Sequence, residues 1–349
     1  MPVQARRIFR LGLTMALAQA IAYALALPIP FLAPLFALIL GAAPTPPMGL
    51  KGLLGLIALV LITLGVGLLL FPLLTHYPFS AILIVALGLY LSAYLTVNMG
   101  KGLVGTFLTV GFTLISAAGT VSYGLATAVI QALVSGIALA VACQWLVYPW
   151  FPEDPAPATK PRPAKTGAMR SNWVALRATL IVLPAYLVAL TNPAMYLAII
   201  MKAVTLGQQD SVSGARDAGR ELLGSTFLGG AFAVLLWFAL KIHPNLWMLS
   251  LWTLLFGLYT ASKLYGLVRS RFPGSFWLNT AVTVLILLGP AIEDSANGKD
   301  VYTAFIVRMG LFVAVTLYAW LAIVALETLR ARRRQRVTPP SPDLESRQC

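Results

Sequence analysis

Apolar residues run along this chain in long stretches, with neither the strict alternation of a half-buried strand nor the narrow stripe of a surface helix. The first half carries six such stretches, at residues 8–27, 31–43, 53–71, 79–97, 103–118 and 125–148. Six more follow at 173–190, 194–206, 222–240, 246–261, 276–292 and 301–326. A helix needs about 20 apolar residues to cross the hydrocarbon of a bilayer. The pattern therefore predicts an all-α integral membrane protein with about 12 transmembrane helices. The second stretch of each half is short. Prolines bound residues 31–43 on both sides, and 194–206 follows Asn192-Pro193 and runs into Gly207-Gln208-Gln209-Asp210. Interrupted spans at matching positions point to a transport site, because broken helices expose backbone groups that only protein or a watery cavity can satisfy.

The two halves repeat. Lys51-x-Leu53-Leu54-Gly55 returns as Arg220-x-Leu222-Leu223-Gly224, and Gly88-Leu89-Tyr90 returns as Gly257-Leu258-Tyr259, both at an offset of 169. Six helices per unit bring both halves into the membrane in the same sense, so the pseudo-twofold axis is expected along the membrane normal, around a central pathway. The expected organisation is a first six-helix repeat at 1–150, a cytoplasmic proline-rich linker at 151–172, a second repeat at 173–329, and a basic, disordered cytoplasmic tail at 330–349.

Composition narrows the class. Of the 349 residues 59% are hydrophobic and 10% charged, against roughly 25% charged in soluble domains. Cytosolic enzymes, secreted disulfide scaffolds and disordered chains are excluded. The formal charge of +14 would suggest nucleic acid in a soluble protein. Here it reads as the excess of basic residues in cytoplasmic loops, and no nucleic-acid partner is expected. Of 25 Lys and Arg residues, 22 fall on one side of a twelve-span layout. Lys241 and Lys299 fall on the other, and Arg308 lies within the last span. That separation places both termini in the cytoplasm. No Asp or Glu precedes Glu153.

Candidate chemistry is sparse. Arg308, about two turns into the twelfth span, and Lys202, near the inner end of the eighth, are intramembrane cations and hence candidate substrate-binding residues. Pairing of Arg308 with Glu293 or Asp294 is the structural alternative. Lys51 and Arg220 open the third span of each half, where a cation opposes the helix dipole and calls for an anionic partner or a topological reason. Asp210, Glu221 and Glu293 are the candidate proton-coupling carboxylates. His76 and His243 lie in equivalent outer loops, where ordinary interfacial residues are the simpler reading. Two cysteines and two histidines support neither a disulfide framework nor a usual zinc site. Phosphate-binding loops and nucleophile elbows are missing from the sequence. The expectation is a protein that is not an enzyme and uses no cofactor or metal.

Two stretches carry a resemblance. A basic residue, Arg220, precedes Leu-Leu-Gly-Ser-Thr-Phe-Leu-Gly-Gly (Leu222 to Gly230), and the first short span ends in Pro-Thr-Pro-Pro-Met-Gly (Pro44 to Gly49). In these the chain resembles the fusaric acid resistance / aromatic acid exporter superfamily, which is related to plant aluminium-activated malate channels. The resemblance implies a bacterial inner-membrane exporter of small organic acids, working with a periplasmic membrane-fusion adaptor. It implies two six-helix units around an anion route, with Lys51 and Arg220 in the place of the basic residue before the third helix. Many members carry a sizeable cytosolic domain, where this chain has only its short linker. A major-facilitator transporter, also built 6+6, is the runner-up. Asp217-Ala218-Gly219-Arg220 nearly matches its loop signature, but residues 41–52 contain no acid.

From these readings the expected function is secondary efflux of small organic anions such as aromatic carboxylates, driven by the proton-motive force. A passive anion channel and a non-transporting scaffold for an adaptor are the alternatives. Membrane lipids and the anion itself are the expected partners.

Overall fold

Several helix ends are set by identifiable residues. Ser122 caps a helix by accepting from the backbone N–H of Leu125 at 3.0 Å, and Asn245 does the same for Met248 at 2.7 Å. Pro78 opens another helix at a position where no backbone donor is needed. Gly100, with φ of 64°, closes it in the left-handed conformation. A computed structural model of the chain describes residues 2–154, 168–191 and 215–337, with side chains at all of these except 168–171, 215–220, 327 and 330–337.

Among the described residues there are eleven helices: α1 (Val3–Ala24), α2 (Leu32–Gly41), α3 (Leu50–His76), α4 (Pro78–Met99), α5 (Gly102–Val121), α6 (Tyr123–Val147), α7 (Ala168–Thr191), α8 (Ala215–Ile242), α9 (Leu246–Leu264), α10 (Gly274–Ala296) and α11 (Val301–Val337). Each of eleven expected stretches overlaps one of them. The twelfth, 194–206, lies outside the described residues, as do Lys202, Asp210 and linker residues 155–167. The backbone of α11 runs on to Val337, eleven residues past the end of the apolar stretch. Glu, Leu, Ala, Arg and Gln in that segment are strong helix formers, and the first breaker is Pro339.

Eight of the helices (α3 to α8, α10 and α11) are long and apolar enough to cross a membrane, and the chain is a multi-pass membrane protein. Their outer faces carry large apolar residues such as Ile62, Leu69, Leu83, Leu87 and Leu235, which lipid solvates without cost. The short α2 is apolar throughout, and at about 1.5 Å per residue its ten residues cannot span the bilayer. It is buried along Leu32 to Leu38, between α1 and α6.

The packing interleaves the two halves. α1 lies along α9, and α4 lies along α7. Within the halves, α3 packs on α5 and α8 on α10. The α5 and α10 helices are the most enclosed spans, 67% and 72% buried. A π-bulge, Gly111–Ile115, lets α5 come close to α3: a side chain on Gly111 would press on the backbone carbonyl of Thr63. α1 and α9 cover each other along their length. Their crossing is tight at Gly12, where an added Cβ would stand 2.9 Å from Leu258 Cδ2.

Candidate functional site

Arg6, Arg7 and Arg10 are spaced three and four residues apart on the first turns of α1. Helical spacing brings them towards a common side, and the segment after α6 folds back to meet them. Arg6 binds Asp154 at 2.7 Å and donates to the carbonyl of Pro152 at 3.0 Å. Arg7 Nε donates to Glu153 Oε1 at 2.7 Å, and its Nη2 contacts the same oxygen. Arg10 Nη2 donates to Glu153 Oε2 at 2.9 Å. The Arg10 guanidinium also lies 5.7 Å from the centre of the Tyr148 ring, a cation–π distance. Burial alone would raise the pKa of Glu153. The hydrogen bonds and charges of Arg7 and Arg10 outweigh burial and hold it below the ordinary carboxylate value. Three guanidinium groups face two carboxylates, which leaves one positive charge over.

A cavity of about 140 Å³ opens beside this cluster, lined by residues that include Arg10, Thr14, Gly41, Met48, Gln144 and Tyr148. Its roof is the Pro-Thr-Pro-Pro-Met turn after α2. Two long-range bonds clamp that turn. Trp145 Nε1 donates to the carbonyl of Met48 at 2.7 Å, and the Tyr265 hydroxyl is shared between the carbonyls of Gly41 and Ala42 at 3.2 and 3.1 Å. Burial pushes the Tyr265 phenol up to about 12, so it remains a donor at physiological pH. Arg10 and Gln144 are each 7% exposed. Among the described residues Arg10 Nη1 and Gln144 Nε2 have no hydrogen-bond partner.

At the opposite end of the bundle lies a chamber of about 650 Å³, walled by Tyr23, Trp237, Leu240, Leu249 and Ile292, with Lys241 and Asn245 also on its lining. Lys241 donates to the Tyr302 hydroxyl at 2.6 Å. Beside the chamber Asp294 holds Arg308 at 2.6 Å and Lys299 at 3.9 Å. Glu293 Oε1 and the Tyr23 hydroxyl are both buried without a hydrogen-bond partner in the described structure.

Of the residues singled out from sequence, the structure brings Arg308 next to Glu293 and Asp294, and its charge is met by Asp294. Lys51 is exposed at the start of α3, and Glu221 is half-buried early in α8. Arg220 belongs to α8, with its side chain outside the described residues. Lys202 and Asp210 lie outside them altogether. His76 is exposed and bonds locally to Thr75 and the Pro72 carbonyl. Sequence reasoning missed Arg10, Gln144 and Arg177. Arg177 is 6% exposed on α7, in the same register as Arg10 on α1. The available signal was the presence of arginine and glutamine inside apolar stretches, at a cost that demands a partner. Among the described residues no group of His, Cys, Asp and Glu is arranged to hold a metal ion.

The first half matches a known family. Over residues 7–147 the chain is similar to a protein family of unknown function, DUF2955. The match runs from the arginine cluster to the end of α6, and so covers one set of six helices. No curated protein and no solved structure matches the chain.

Proposed function

We propose that this protein is a secondary transporter of small organic anions, aromatic carboxylates among them, built as two parallel six-helix repeats. One observation carries the reading: the first helices of the two halves are buried in the same register. Ile8, Arg10, Leu11, Thr14, Gln19 and Ala22 on α1 correspond to Ala175, Arg177, Ala178, Ile181, Tyr186 and Ala189 on α7, at a constant offset of 167, and all are buried. An arginine stands at the equivalent place in each. The interleaving of α1 with α9 and of α4 with α7 supports the same symmetry, since each first helix lies along the fourth helix of the other half. So does the enclosure of α5 and α10, the fifth helix of each. Two like-built halves with such an axis frame a path across the membrane, and cations kept inside a membrane domain mark substrate and ion routes.

In this reading the end bearing Arg6, Arg7 and Arg10 faces the cytoplasm, by the rule that basic loops stay inside. Both termini are cytoplasmic, the membrane is a bacterial inner membrane, and the direction is outward. The similarity to the fusaric acid resistance / aromatic acid exporter superfamily adds a periplasmic membrane-fusion adaptor as a partner. Glu293, with a buried oxygen lacking a donor among the described residues, is the carboxylate assigned to proton coupling. The protein performs no covalent chemistry.

The test is flux in proteoliposomes holding purified protein. Labelled benzoate should accumulate against its gradient faster than in protein-free liposomes when a pH gradient is imposed, and Glu293→Gln should abolish that excess. Flux only down the anion's own gradient would make it a channel. Absence of flux for a panel of aromatic and aliphatic carboxylates would overturn the reading.

A further inference from the structure

The geometry points to the cavity between α1, α6 and the turn after α2 as a binding site for a single carboxylate group, held by Arg10 and Gln144. The inference rests on the transport reading and gives that reading its inner substrate site. Both side chains wall the cavity, and both are more than nine-tenths buried. Each keeps a donor nitrogen with no acceptor among the described residues, Nη1 of Arg10 and Nε2 of Gln144. A buried donor without an acceptor is costly, so a cavity whose lining retains two of them is incomplete.

The missing acceptor is an anion, for three reasons. First, the cluster behind Arg10 carries a surplus positive charge, because Glu153 is shared between Arg7 and Arg10 while Asp154 serves Arg6. Secondly, the backbone carbonyls that the turn presents are already engaged: those of Gly41 and Ala42 accept from Tyr265, and that of Met48 accepts from Trp145. Thirdly, a guanidinium paired through one amino group still offers the other, and guanidinium–carboxylate hydrogen bonds are among the strongest in proteins. Size then limits the ligand. Drug-sized ligands occupy roughly 300–1,000 Å³, and this cavity of about 140 Å³ takes the carboxylate end with only a few further atoms. An aromatic body has to project out of it.

The experiment is titration calorimetry on the purified full-length chain in detergent, with acetate and benzoate as probes and acetamide as the neutral control. Acetate and benzoate should bind and acetamide should not. Gln144→Leu leaves the arginine–carboxylate cluster intact and should weaken both anions about tenfold or more, the worth of a hydrogen bond to a charged group. Arg10→Lys retains the charge against Glu153 but loses the second donor, and should weaken both similarly. Monodisperse gel filtration and an unchanged melting temperature for Gln144→Leu exclude misfolding as the cause. Unchanged affinity in both variants, or no anion binding to the wild type, would overturn the site and leave water as the occupant. Benzoate flux that persists unaltered in both variants rejects this site and leaves transport standing. Variant-sensitive anion binding without flux in any condition rejects transport and leaves the site standing.

Discussion

Replacing Glu153 by glutamine tests the ionic clamp that ties the start of α1 to the end of α6. The Glu153 side chain is 6% exposed, and it meets Arg7 and Arg10, whose side chains are 28% and 8% exposed. Loss of the carboxylate leaves Arg10 buried with its charge uncompensated, whereas Arg7 turns to water. Breaking a buried pair from one side costs about 3–5 kcal/mol. Because Arg7 is partly solvated, the low end applies, about 3 kcal/mol. For a chain of this size that corresponds to a fall of roughly 4 °C in the melting temperature of the detergent-solubilised protein. Asp154→Asn is the internal comparison. Its carboxylate is 55% exposed, and surface pairs contribute about 0–1 kcal/mol, so it should shift melting by no more than about 2 °C. The double variant Arg10→Gln/Glu153→Gln removes both charges and should recover most of the loss, because a neutral pair of similar shape carries no stranded ion. The reasoning fails if Glu153→Gln melts no lower than Asp154→Asn, or if the double variant is as unstable as Glu153→Gln alone.

Three further outcomes follow from the same packing. The Glu153 pKa is lowered in the folded protein, so its contribution is present above the ordinary carboxylate pKa and is lost as pH falls through the lowered folded value. Melting temperature measured on acidification should therefore drop more steeply in the wild type than in Glu153→Gln. Arg308→Gln leaves Asp294, which is 7% exposed, with only the exposed Lys299 at 3.9 Å, and should lower melting by a few degrees, with recovery in Arg308→Gln/Asp294→Asn; if that double variant also keeps full benzoate flux, Arg308 is a structural partner and no substrate ligand. Gly111→Val forces a side chain against the Thr63 carbonyl at the closest approach of α5 to α3, and should prevent recovery of monodisperse protein, read by gel filtration.

The helices were legible because lipid imposes one simple demand, a run of apolar residues of sufficient length. Even the short α2 was marked by the prolines around residues 31–43. The extension of α11 to Val337 was not, since apolar content ends near Leu326 while helix propensity continues through the arginines. The site was read less well. Charges conspicuous by their neighbours, such as Lys51 at the head of a helix or Arg308 in a late span, drew the substrate reading. Lys51 is exposed and Arg308 is paired across to α10, a contact between helices that no local pattern reveals. Arg10 sits two residues inside an apolar stretch and reads as its basic flank. Its burial depends on Glu153, 143 residues later, and on Gln144 and Tyr148 from α6. Register comparison of α1 with α7 was available in the sequence but needed an offset of 167, two residues short of the 169 that aligns the other repeated motifs.

The distribution of charge along the bundle bears on direction. An exposed lysine such as Lys51 attracts an anion at 4 Å by about 1 kcal/mol in water, and a partly buried cation does so by about 4 kcal/mol at an effective dielectric constant of 20. Burial therefore decides which cation matters, and Arg10 and Arg308 are the better placed. They differ in what opposes them. At the end holding Arg308, the carboxylates of Glu293 and Asp294 formally balance Arg308 and Lys299, and the open chamber there has mostly apolar walls. At the other end the arginine cluster keeps its surplus charge beside the cavity with unpaired donors. On the proposed reading an anion is captured where positive charge is in excess and passes to an end where the charges cancel and carboxylates repel it. Affinity then falls from the loading side to the release side, and a carboxylate such as Glu293 that gains and loses a proton at the far end can eject the bound anion without any movement of the arginines.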